Sequence, residues 1–122
     1  MKILVLGAYG LIGAAIVRRL SSAGHAVTGL GRDVTRAQKQ FPSVAWIKAD
    51  IARLQTSDDW AKILSDTKPD VIINSAGALQ NGLGDDLAAL QSNAMQALYA
   101  AAAKAGVTHL IQISATRAQG NA

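Results

Sequence analysis

Short apolar runs alternate with amphipathic stretches along the whole chain. Lys2–Leu6 reads as a strand, and Leu11–Ala23 as a helix with Ile12, Ala15, Ile16 and Leu20 on one face and Arg18 and Arg19 on the other. Gly24 is placed to end that helix. A second strand follows over Ala26–Leu30, then a polar helix over Val34–Gln40 that stops before Pro42, then a third strand over Val44–Lys48. Thr56-Ser-Asp-Asp59 is a capping pattern, with Asp in the place of Glu, for a helix over Ser57–Ser65. Val71–Asn74 is a fourth strand. A glycine-rich loop, Gly77–Gly84, then leads to a long helix over Asp86–Ala105, which Gly106 stops, and to a fifth strand over Val107–Ile113. Continuous apolar strands separated by helices predict a parallel sheet covered on both faces. With right-handed crossovers the expected strand order is 3-2-1-4-5, a Rossmann-like α/β doubly wound sheet in three αβα layers, with residues 1–122 as one domain.

Composition changes this picture in one respect. Half of the 122 residues are hydrophobic, but the aromatics are only two Trp, two Tyr and one Phe, so the core must be aliphatic. The alanine-rich stretch 94–105 is interrupted by Gln96, Tyr99 and Lys104 and reads as a buried helix rather than a membrane span. Met1 leads directly into a strand, which predicts no signal peptide and a cytoplasmic location. There is no cysteine, hence no disulfide or thiolate metal site. The formal charge is +4, but the basic residues are scattered, with no dense run interleaved with aromatics. Nucleic acid is therefore not an expected partner; the spread charge reads either as solvated helix faces or as a field that favours a polyanionic cofactor.

The sharpest chemical signal is Gly7-Ala-Tyr-Gly10-Leu-Ile-Gly13, three glycines three residues apart between a strand and a helix. This is the layout of a dinucleotide pyrophosphate cradle. Gly7 permits the sharp turn off the strand, Gly10 lets a pyrophosphate approach the backbone, and Gly13 lets the helix pack close to the sheet. The helix start adds free N–H groups. A triphosphate loop would need Gly-Lys-Ser/Thr, and here Ala14-Ala15 follows Gly13.

The end of the second strand bears on which dinucleotide is taken. A carboxylate there would bond the ribose hydroxyls and repel a 2′-phosphate. The chain instead has Gly31-Arg32, which favours NADP(H) over NAD(H). Asp33 either reaches the ribose or starts the next helix. After the third strand, Asp50 either accepts from the adenine amino group or caps the next turn, and Ile51 is placed to pack on the ring. Asn74-Ser75-Ala76-Gly77 offers small residues for a close approach of the cofactor. Ser114 and Thr116, past the fifth strand, either polarise a substrate carbonyl or form a turn. His25 and His109 lie at the opposite edge, without metal-ligand spacing, and read as surface residues.

Together these residues resemble the short-chain dehydrogenase/reductase superfamily in its extended or atypical branch, which includes nucleotide-sugar epimerases and dehydratases. The matching pieces are the glycine turn with Tyr9, Leu11 and Ile12, Arg32, Asp50-Ile51, Asn74–Gly77, Asn93 and Ile113-Ser114. The resemblance implies a nicotinamide dinucleotide, an unidentified small-molecule substrate and an oxidoreductase or epimerase as parent. It also implies a Tyr-x-x-x-Lys pair beyond the fifth strand. Neither Tyr9 nor Tyr99 has a Lys four residues on; Ala115 stands where a working hydroxyl is expected, and Gln119 where a Tyr is. The chain is thus expected to be the N-terminal part of a longer protein, inactive alone and self-associating through its exposed edge. The alternative is a non-catalytic dinucleotide-binding module, such as a redox sensor or accessory subunit.

Overall fold

The computed structural model describes residues 1–7, 11–75 and 85–113, with the backbone alone for residues 11, 12 and 85–91. The elements are β1 (Lys2–Leu6), α1 (Leu11–Ser22), β2 (Ala26–Gly31), α2 (Thr35–Gln40), β3 (Ala45–Lys48), a 3₁₀ turn (Ile51–Arg53), α3 (Ser57–Thr67), β4 (Val71–Asn74), α4 (Asp85–Ala105) and β5 (His109–Gln112). The five strands are parallel, in the order β3-β2-β1-β4-β5. This is the expected Rossmann-like topology.

Strand alternation divides the core into two layers. Leu4, Leu6, Leu30 and Ile72 face α3 and α4, packing with Trp60, Leu64, Ala94, Leu98 and Ala101. Ile3, Val5, Val27, Val71 and Ile73 form the other layer, with Val17 of α1 and, partly buried, Ile16, Leu20, Phe41 and Trp46. Helix α4 turns one alanine-lined stripe inward and leaves Gln96, Tyr99 and Lys104 outside, so it is buried on one side rather than all round.

Several local expectations shift. The inward stripe of α1 is Gly13, Ile16, Val17 and Leu20, at intervals of three and four, whereas Ala15 is exposed. Ile16 and Leu20 of the expected face lie in that stripe, and Val17 takes the buried place expected of Ala15. The ladder of β5 is shorter than its apolar run, although Ile113 N–H still donates to the Asn74 carbonyl at 2.9 Å. Helix α3 runs on to Thr67 and ends on Lys68 in the left-handed region (φ 46°), a conformation no sequence rule assigns to lysine. Its start is as expected: Asp59 N–H donates to Thr56 Oγ1 and Thr56 N–H to the Asp59 carboxylate, both at 3.2 Å.

Candidate functional site

In a parallel sheet all strands exit at one edge. Here that edge gathers Gly7, Gly31-Arg32, Ala49-Asp50, Asn74-Ser75 and Ile113. The chain leaves β1 for β2 on one side and returns at β4 on the other, so the ends of β1 and β4 form the switch point of the sheet. Such a switch point is where open α/β sheets take ligands.

Gly7 has φ +71°, a conformation that side-chain-bearing residues rarely adopt. Its N–H donates to the Leu30 carbonyl at 2.8 Å, which fixes the start of the turn to β2. Gly13 is buried at the sheet-facing side of α1, as close helix–sheet packing requires. Leu11 and Ile12 open α1, and only their backbone is described. Tyr9, Gly10, Ala76, Gly77, Ser114 and Thr116 lie outside the described residues.

Ser75 is 7 % exposed, and its hydroxyl donates to the Leu6 carbonyl at 2.7 Å, beside the N–H of the same residue at 3.1 Å. It therefore clamps the exit of β4 to the exit of β1. Ser75→Ala is expected to lower the unfolding free energy by about 1 kcal/mol, the worth of one buried hydrogen bond. Urea denaturation reads this directly; an unchanged midpoint would remove the clamp from the account.

The adenosine-side residues divide. Arg32 is exposed at the end of β2. Asp33 accepts from Thr35 N–H at 3.1 Å and so starts α2, one of its two expected roles. The Thr35 backbone N–H, then its hydroxyl, hold the carboxyl below its ordinary range, with Lys48 and Arg36 adding to the effect. Asp33 therefore keeps its charge at neutral pH. Asp50 accepts from Ala52 N–H at 3.0 Å and caps the 3₁₀ turn. Ile51 is 8 % exposed and belongs to the core layer with Leu30 and Trp60, so little of its side chain is left to meet a ring.

Sequence reasoning placed Asn74 at the β4 exit but did not find its partners. Asn74, 1 % exposed, donates from Nδ2 to Gln112 Oε1 at 3.0 Å and also bonds the Met95 sulfur. The Tyr99 hydroxyl donates to the same Gln112 oxygen at 3.2 Å. These residues are far apart in sequence, so no local pattern marks them. A cleft of about 640 Å³ lies at the opposite, amino edge, bordered by Lys2, His25, Ser43, Asp66 and Pro69, and it shares no residue with the carboxyl-edge positions named above. His25 is half-buried and His109 exposed at that same far edge. Among the described residues no cluster of three His, Cys, Asp or Glu could hold a metal, and no helix is long and apolar enough to cross a membrane.

A glycine turn at the switch point of a 3-2-1-4-5 parallel sheet defines the class as a Rossmann-like nucleotide-binding fold. More narrowly, the chain belongs to the NAD dependent epimerase/dehydratase family, whose profile matches residues 3–122. The expected kinship with extended short-chain dehydrogenase/reductases therefore holds. No curated protein matches the sequence. Among solved structures, the chain is similar to the Bordetella bronchiseptica enzyme WbmG in complex with NAD and UDP, at 20% identity and a TM-score of 0.76 over 92% of this chain and 36% of that one. It is also similar to Thermotoga maritima UDP-glucose 4-epimerase with UDP-glucose (20% identity, TM-score 0.75, 92% of this chain and 37% of that one). A third is dTDP-glucose 4,6-dehydratase from Bacillus anthracis in complex with NAD (16% identity, TM-score 0.70, 92% and 36%). The chain thus spans little more than a third of the length of these neighbours. Family membership favours the epimerase/dehydratase reading over a binding-only module.

Proposed function

We propose that this chain is the dinucleotide-binding domain of an epimerase, dehydratase or reductase acting on a small-molecule substrate, with NADP(H) favoured over NAD(H). The observation that carries the reading is Gly7, at φ +71° and fixed to β2, opening a glycine turn at the switch point of the sheet. Gly7, Gly10 and Gly13, with the turn residues Tyr9, Leu11 and Ile12, would cradle the pyrophosphate at the start of α1. Asp50 and the backbone of Ile51 would meet the adenine, and Ser75, Ala76 and Gly77 the ribose side. The preference for NADP(H) is supported by Arg32, exposed where a carboxylate would otherwise read the ribose, and by Asp33 being engaged with Thr35. The nicotinamide would supply a hydride acceptor or donor. Ser114 and Thr116 follow the β5 exit, where a hydroxyl would polarise the substrate carbonyl. Self-association is supported by the edge position of β5 and by Ile111, 44% exposed on it.

Thermal denaturation with added cofactor tests the reading. NADPH at a hundredfold excess over its Kd should stabilise the fold by about 2.7 kcal/mol, a rise of several degrees in Tm. If neither NADPH nor NADH raises Tm at millimolar concentration, the proposal fails.

A further inference from the structure

We infer that Gln112 is a positioning residue for the nicotinamide half of the dinucleotide, acting through Asn74. The inference rests on the cofactor-binding reading above and names residues that the glycine turn does not involve. In a doubly wound sheet the β1–β2–β3 side takes the adenosine half and the far side takes the other nucleotide. The β4 and β5 exits form that far side, and two links join them. The Asn74 carbonyl accepts from Ile113 N–H at 2.9 Å, and the Asn74 amide donates to Gln112 Oε1 at 3.0 Å. Tyr99 of α4 donates to the same oxygen at 3.2 Å, so Gln112 takes one donor from the sheet and one from the helix.

Gln112 is exposed, whereas Asn74 is 1 % exposed and directly precedes Ser75. An exposed amide thus holds a buried one at the carboxyl end of β4. Its partners lie on β4 and α4, and none of the adenosine-side residues takes part. Loosening it should shift the exits of β4 and β5 and leave Arg32 and Asp50, on the β2 and β3 side, in place.

The test compares each dinucleotide with the fragment that lacks nicotinamide: NADPH against 2′-phospho-ADP-ribose, and NADH against ADP-ribose, by calorimetric titration. Gln112→Leu should weaken the full dinucleotides roughly two- to tenfold, the worth of one hydrogen bond, and leave the fragments unchanged. Gln112→Glu keeps acceptor oxygens for both donors and should restore wild-type binding. Tyr99→Phe leaves the packing intact and should move the same ratio less; it stands in if Gln112→Leu does not fold. An unchanged ratio of dinucleotide to fragment affinity, or equal loss of both, overturns the positioning role while leaving the cofactor reading intact. A wild-type chain that binds no dinucleotide overturns both.

Discussion

Trp60→Ala should destabilise the domain by about 3–5 kcal/mol, the range for removing a fully buried aromatic. In an aliphatic core this ring is the largest fully buried side chain, with no exposed surface. Its Nε1 donates to the Leu54 carbonyl at 2.9 Å and to the Ala94 carbonyl at 3.0 Å. One indole therefore ties the segment after the 3₁₀ turn to α4, while its own backbone lies in α3. Alanines 94, 97, 101 and 102 bring α4 close and have no bulk to fill the space left behind. Domains of this kind have only about 5–15 kcal/mol of stability in total, so the variant should be near its unfolding midpoint in mild urea. Trp60→Phe keeps most of the volume but loses the donor, and should cost less. Circular dichroism with urea measures both, and a loss below about 1 kcal/mol for the alanine variant would contradict the packing described.

Arg32→Asp should reverse the cofactor preference. On the proposed reading, the Arg32 guanidinium on a 2′-phosphate would be worth about 1.5–3 kcal/mol, or roughly ten- to a hundredfold in favour of NADPH. The new carboxylate would bond the ribose hydroxyls and repel the phosphate. It would stand beside Asp33, whose charge is already held by Thr35, so two carboxylates would offset the nearby Lys48 and Arg36. Titration of both cofactors measures the ratio. If the ratio is unchanged, Arg32 does not read the phosphate, and tighter NADH binding by the wild-type chain would remove the argument for NADP(H) altogether.

The central strands were legible because their apolar runs are uninterrupted. Lys2–Leu6 and Val71–Asn74 have the bounds read from sequence, and the turn at Gly7 and the capping box needed only local spacing. What escaped depends on contacts across the fold. The inward face of α1 is set by how the helix lies on β1 and β2, which makes Val17 rather than Ala15 a core residue. Ile51 carries the family pattern beside Asp50, yet the 3₁₀ turn that Asp50 caps directs it into the core. Asn74 and Gln112 are 38 residues apart and meet only because β4 and β5 pair in register.

The central claim is that a dinucleotide lies across the carboxyl edge of the sheet. Amide chemical shifts of an isotope-labelled chain, followed through an NADPH titration, test it most directly. The expected result is saturable change at Gly7, Gly31, Arg32, Asp50 and Ser75, with Gly24, His25 and Ser43 at the amino edge unmoved. Changes centred on the amino-edge cleft, or no saturable change at Gly7, would contradict it.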